Sequence, residues 1–188
     1  MEYLASLDRS LFLLINQLPH TPFIDAVVLA LSGVGTAGII WFLIGLLLFI
    51  REEKKNHWFF APMVIAGGLS WFLVEAIIKP LVARSRPAVA LGGIILGLNL
   101  SDSYSFPSGH ATIAFAMVVV LSRIEPRWKT ILYILAVLIS LSRIYIGKHY
   151  PLDVLAGGLL GWGIGHLSLF VIKHRVTNQI THTTKHTL

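Results

Sequence analysis

Residues 58–78 read WFFAPMVIAGGLSWFLVEAII, and Lys79 follows directly. This stretch carries one acid, Glu75, and no base. A helix needs about 20 mostly apolar residues, at about 1.5 Å each, to cross the hydrocarbon core of a bilayer. The stretch therefore reads as a membrane span. Working outward, Thr36–Ile50 is apolar throughout and extends back through Leu31 if Gly33 and Gly35 are tolerated. Trp128–Ile146 and Leu152–Ile172 are clear spans. Ala111–Leu121 is shorter and reaches spanning length only with Ser108–Gly109 and Ser122–Ile124. At the N-terminus, Pro19 and Pro22 break Phe23–Leu31 from Leu11–Leu18. Asp8–Leu18 reads as an amphipathic interfacial helix, and Phe23–Leu31 as a short or tilted first span. The expected fold class is all-α: a polytopic membrane helical bundle of about six transmembrane helices, or five, plus the N-terminal interfacial helix.

Composition supports a membrane protein. Of 188 residues, 55% are hydrophobic and 13% charged, against roughly 25% charged in a soluble domain. With a mean hydropathy of +0.76, a soluble globule, a disordered chain and a coiled coil are excluded. The absence of cysteine excludes a disulfide framework, a zinc-thiolate site and a thiol nucleophile. A single domain over residues 1–176 is expected, followed by a polar, flexible tail over 177–188. His182 and His186 in that tail read as untethered rather than as metal ligands. The N-terminus lacks the basic stretch and cleavage site of a signal peptide and reads as mature sequence. The net charge of +6 points to basic loops beside anionic lipid and not to nucleic acid.

The same charges orient the chain. With six spans, Arg51, Lys54, Lys55, Arg123, Arg127, Lys129, Lys173, Arg175 and Lys185 fall on one side, which the positive-inside rule makes cytoplasmic. Lys79, Arg84, Arg86, Arg143 and Lys148 fall on the other. Cations on the side that should be poor in them call for an anionic ligand.

Three clusters on that face carry chemistry. In the first, Lys79-Pro-Leu-Val-Ala-Arg-Ser-Arg86-Pro87, the cations make an anion site, with arginine offering a planar fork matched to phosphate oxygens. Glu75, one turn before Lys79, is expected to pair with it. Alone, the cluster reads equally as a basic patch against lipid headgroups. In the second, Phe106-Pro107-Ser108-Gly109-His110, Ser108 reads as an N-cap, so the free amides of the first turn make an oxyanion cradle. His110 can donate a proton there. Alone, this is also an ordinary helix cap. In the third, Ser142-Arg143 through His149-Tyr-Pro-Leu-Asp153, Pro151 fits the first helical position and Asp153 the first turn. Asp153 is within reach of His149, and an acid holding one imidazole nitrogen leaves the other free as nucleophile or base. Arg84 and Lys148 read as steering charges, Asp102 and Tyr104 as entrance residues, and His166 as a packed, hydrogen-bonded residue at the inner end. Cations with helix-end amides ask for a phosphoryl group, an oriented histidine for attack on it, and a second histidine for leaving-group protonation.

The order Lys-x6-Arg-Pro, Pro-Ser-Gly-His, Ser-Arg-x5-His-x3-Asp resembles the type-2 phosphatidic acid phosphatase family, in the superfamily of the bacterial acid phosphatases and vanadium haloperoxidases. Every motif position is filled: Lys79, Arg86, Pro87, Pro107, Ser108, Gly109, His110, Ser142, Arg143, His149 and Asp153. The resemblance implies a metal-independent phosphatase that needs no cofactor. It makes His149 the nucleophile of a phosphohistidine intermediate, oriented by Asp153, with His110 protonating the leaving oxygen. Lys79, Arg86, Ser108, Gly109 and Arg143 would bind the phosphoryl oxygens. The expected substrate is a lipid phosphate or diphosphate, with undecaprenyl diphosphate favoured over phosphatidylglycerol phosphate, phosphatidate and lipid A 1-phosphate. The expected location is a bacterial cytoplasmic membrane with the site facing the periplasm or exterior. Membrane lipids and the lipid substrate are the expected partners, with no protein partner. Residues 88–106 read as a lid dipping into the interface. Two rivals are a non-catalytic lipid-phosphate binder and a vanadate-dependent oxidase.

Overall fold

The computed structural model describes residues 2–35, 38–51, 59–91, 94–96 and 104–185, with backbone alone for 88, 89 and 174–185. Among the described residues all regular structure is helical. The helices are α1 (Glu2–Asn16), α2 (Pro22–Val34), α3 (Ile39–Arg51), α4 (Ala61–Val82), α5 (Pro87–Leu91), α6 (Gly109–Ile124), α7 (Lys129–Tyr145) and α8 (Pro151–Lys185).

The segments Ala61–Val82, Pro126–Tyr145 and Pro151–Lys173 are each long and apolar enough to cross a membrane. α2 and α3 hold 13 residues each and pass the same test only as a pair, bent by 67°. α6, with 16 residues, is longer than either but still short of a crossing. Against the six expected spans, three segments among the described residues reach crossing length alone, or four if α2 and α3 make one bent span.

The first of them starts where its capping chemistry dictates. Thr21 accepts a hydrogen bond from the Ile24 amide at 3.2 Å and Pro22 opens the helix. α6 is the centre of the bundle. Ala111, Ala114 and the run Ala116–Leu121 are all buried, the pattern of a helix apolar all round. Trp41 and Leu48 of α3, Met63 and Ala66 of α4, Leu132, Ala136 and Ile139 of α7 and Ile164 of α8 share its core.

Close approach of α6 and α8 rests on a glycine stripe. A Cβ at Gly157 would lie 2.6 Å from the Ser108 carbonyl oxygen, one at Gly165 2.7 Å from that of Ala116, and one at Gly161 would overlap the backbone of Thr112. Spaced four apart, these glycines let two backbones touch. The contact brings the start of α6 to the start of α8, where the Ser108 amide donates to the Asp153 carbonyl at 3.0 Å.

α4 carries a second device. Phe72–Ile78 winds as π-helix, and the Lys79 amide donates to the Val74 carbonyl five residues back. Pro80 has no N–H to give, and its ring would meet the carbonyl four residues back in a regular helix. The wider turn suits that residue, and such turns collect at functional sites. Ala83, at φ +48, then ends the helix in the left-handed region.

α1 begins at Glu2, earlier than the Asp8 start expected from sequence, and is two-faced. Asp8, Phe12 and Asn16 are buried, whereas Tyr3, Leu4, Leu7, Leu11 and Leu14 are exposed. At the opposite end of the bundle Arg51, Glu125 and Arg127 line one polar hollow, so two of the basic loops share a face. α8 runs on as helix to Lys185, through residues 177–185 that the sequence presents as a flexible tail. Nothing after Gly165 interrupts it, since no glycine or proline follows. Residues 186–188, Lys54, Lys55, Trp58, Asp102 and the stretches 92–93 and 97–103 of the expected lid lie outside the described residues. Within that lid, Asn16 clamps Ile94 through both of its backbone polar groups at 2.8 Å.

Candidate active site

The three sequence clusters meet at one end of the bundle. Lys79 is buried at the end of α4 and donates to Glu75 at 2.6 Å, the pairing expected one turn apart. Arg86, buried beyond the α4 turn, donates to the Lys148 carbonyl at 2.9 Å. Arg143 on the last turn of α7 is buried and donates to the Ser32 hydroxyl of α2, while its Nε has no hydrogen-bond partner among the described residues. Ser108 caps α6, accepting from the Ala111 amide at 3.5 Å. Gly109 faces the Glu75–Lys79 pair, for a Cβ there would come 3.2 Å from the Glu75 carboxylate. His110 lies against the end of α2, where Gly35 leaves room for its ring. Its Nε2 is buried and unpartnered among the described residues. Lys79, Arg143, Lys148 and His149 all lie within electrostatic reach of it.

His149 is held differently from the sequence expectation. Its Nδ1 donates to the Ser105 carbonyl at 2.7 Å, whereas the Asp153 carboxylate stands 3.7 Å from Nδ1, beyond hydrogen-bond range. A carbonyl only accepts, so Nδ1 carries the proton and Nε2 keeps its lone pair. Burial pushes the His149 imidazole down to about 4, with Arg143 and Arg86 acting in the same direction and Asp153 opposing. The ring is neutral at physiological pH.

Asp153 is fully buried and already engaged. Its carboxylate accepts from the Tyr150 amide at 2.9 Å and from Arg84 at 2.5 Å. Arg84 is therefore not the free steering charge that sequence suggests, because Asp8 neutralises its other side at 2.6 Å. His166 is hydrogen-bonded as expected, to the Trp162 carbonyl at 2.9 Å, but it is exposed on α8, its ring tilted against that indole. Among the described residues no three His, Cys, Asp or Glu side chains gather as a metal-binding group.

The PAP2 superfamily model matches residues 58–176, which span all three clusters. The chain belongs to the PAP2 superfamily. It is an integral membrane phosphatase, a hydrolase of lipid phosphoester bonds. It is 39% identical over 125 residues to an undecaprenyl-diphosphatase of Sulfolobus acidocaldarius, a match covering 66% of this chain and 58% of that relative. It is 30% identical over 192 aligned positions to a lipid A 4'-phosphatase of Bacteroides thetaiotaomicron, covering 96% of this chain and 83% of the relative. The crystal structure of Aquifex aeolicus LpxE superposes with a TM-score of 0.72 at 34% identity, covering 87% of this chain and 94% of that one.

Sequence reasoning missed four members of this PAP2 site: Asp8, Ser32, Ser105 and the anchoring role of Arg84. Ser105 acts through its backbone carbonyl, which no side-chain pattern reveals. Asp8 carried one signal, an acid set among the apolar residues of an interfacial helix.

Proposed function

We propose that the protein hydrolyses a lipid phosphate or diphosphate through a phosphohistidine, without a metal ion, on the outer face of a bacterial cytoplasmic membrane. The observation that carries this reading is a neutral imidazole, His149, fixed by its Nδ1–H within a ring of buried cations. In the first step the Nε2 lone pair of His149 forms a bond to phosphorus as the bond to the leaving oxygen breaks. With the phosphate dianion bound, its negative charge offsets the cations around His110, and His110, protonated in that complex, gives its proton to that oxygen. In the second step water attacks phosphorus, His110 takes a proton from it, and the P–N bond breaks to free phosphate and restore His149. Asp153 stabilises the imidazolium character that His149 gains. Lys79, Arg86, Arg143, Ser108 and the Gly109 amide hold the phosphoryl oxygens, and loss of one such donor lowers turnover on the order of 10²–10³.

Undecaprenyl diphosphate is the substrate we favour, in keeping with the name of the Sulfolobus acidocaldarius relative. An apolar cleft of about 480 Å³ is lined by Val154, the residue after Asp153, together with Leu155, Leu159 and Trp162. A hydrocarbon tail suits that lining better than a soluble substrate does. A lipid A phosphate is the second reading, favoured by the nearly full-length alignment with the Bacteroides phosphatase.

The test is phosphate release by the purified protein in chelator. The panel is undecaprenyl diphosphate, phosphatidylglycerol phosphate, phosphatidate and lipid A phosphate, ranked by kcat/KM. Undecaprenyl diphosphate is expected to rank first, vanadate to inhibit, and His149→Ala to be inactive. Turnover surviving in His149→Ala rejects the phosphohistidine, and activity lost to chelator alone rejects metal independence.

A further inference from the structure

Two groups touch or face the imidazole of His149, and one arginine outside the motifs governs both. The first is the Ser105 carbonyl that receives Nδ1–H. The Ser105 amide donates to the Arg84 carbonyl at 2.8 Å, and its hydroxyl to the Ser85 carbonyl at 3.2 Å. The second is the Asp153 carboxylate, 3.7 Å away, which Arg84 binds through Nη1 at 2.5 Å. The guanidinium lies over the Tyr150 ring, 3.9 Å from its centroid. Its Nη2 reaches Asp8 on α1 at 2.6 Å, and the other Asp8 oxygen accepts from the Leu152 amide at 2.8 Å. Asp8 is 2% exposed. A carboxylate that deep is retained at a heavy desolvation penalty unless its partners are in place. Here they are the guanidinium and the first turn of α8.

We propose that Arg84, anchored by Asp8, is a positioning residue for His149. Its main chain sets Ser105, its side chain sets Asp153, and the N-terminal helix supplies the counter-anchor. The inference rests on the reading of His149 as the nucleophile. The bland alternative is that Asp8 and Arg84 only fasten α1 to α8. The two differ in what they do to the imidazole. With Arg84 neutralised, the Asp153 carboxylate loses its compensating charge, so the protonated ring is favoured and His149 titrates at higher pH. Arg86, Arg143 and His110 remain as the other charged or titratable groups that act on the ring, and the mutation does not touch them.

The full chain, histidine-labelled and solubilised in detergent, is titrated by NMR and assayed on undecaprenyl diphosphate. Arg84→Met is expected to move the His149 midpoint upward by about one pH unit. Turnover should fall about tenfold to a hundredfold, with KM within threefold, as a misaligned nucleophile does. Arg84→Lys keeps the charge but cannot span both carboxylates, so its midpoint should stay near the parent value while turnover is only partly restored. Asp8→Asn should lower kcat likewise. The Asp8→Asn/Arg84→Met pair should lose no more than Arg84→Met alone, because both act through one link. An unchanged midpoint and kcat in Arg84→Met, or additive losses in the pair at matched Tm, overturns the proposal. Should Arg84→Met fail to fold, Arg84→Lys with a full parent kcat overturns it equally. His149→Ala separates the two readings. Its activity would reject the nucleophile itself, whereas an inactive His149→Ala beside a fully active Arg84→Met rejects this inference alone.

Discussion

At the scale of the residue, an attacking histidine must keep one nitrogen bare while the other holds the ring still. His149 meets the second requirement with a backbone carbonyl, that of Ser105. A carbonyl cannot be protonated near neutrality, so this arrangement fixes the tautomer across the working pH range. Burial does the rest by holding the ring down to about 4, well below the ordinary value near 6.5. The sign is clear. A depressed value means that the ring is neutral above about 4 and charges only below it. In the substrate-free protein, NMR of labelled imidazoles should therefore find His149 as the Nδ1–H tautomer, with a midpoint near 4. A midpoint at 6.5 or above would contradict the burial argument. The three clusters were legible from residue type and spacing: closely set cations, a Ser-Gly-His helix start, a histidine four residues before an acid. The bond from Nδ1 to Ser105 was not legible, because it depends on how the chain before α6 folds against the loop before α8. The Asp8 link spans 144 positions from Leu152, a distance at which local pattern carries no signal.

At the scale of the element, the decisive contact is that between α6 and α8. It holds Ser108 and Asp153 together by a main-chain bond, and so sets the separation of the His110 and His149 clusters. Gly161→Val would drive two methyl groups into the Thr112 backbone. Overpacking of this kind destabilises by about 1–3 kcal/mol, and the helix starts would spread. Thermal unfolding of the variant should show the loss of stability, and phosphate release should fall with it. Gly163→Ala is the control, since a Cβ there meets nothing within 4 Å. A Gly161→Val protein with parent Tm and activity would remove the glycine stripe from the account. The glycines at 157, 158, 161, 163 and 165 were legible as a packing signal, but which of them touch was not. The four-residue spacing selects 157, 161 and 165 only once the facing helix is known. The extents of α1 and α8 were likewise under-read at the termini, where helix continues in the absence of a breaker and hydropathy alone marks no boundary.

At the scale of the whole molecule, the bundle has two chemically distinct ends. Arg51, Glu125 and Arg127 share one, and the histidines with Lys79, Arg86 and Arg143 share the other. Positive-inside bias predicts that the first end faces the cytoplasm. Because the chain contains no cysteine, single cysteines report sidedness without background. Ser85→Cys should react with a membrane-impermeant maleimide in intact spheroplasts, and Arg127→Cys only after permeabilisation. The reverse pattern would turn the orientation over. The helical bundle was legible from hydropathy, whereas the crossing number was not, since α2, α3 and α6 fall below single-span length.

The Asp8 carboxylate has a consequence for inheritance. The three motif clusters occupy residues 79–153, yet one of the bonds that holds them comes from the second turn of α1. A graft of 79–153 onto another bundle would arrive with a guanidinium lacking its second carboxylate and a helix start lacking its acceptor. Recombination between relatives should thus tolerate exchanges that move the first helix and the catalytic stretch as a linked pair, and reject those that part them.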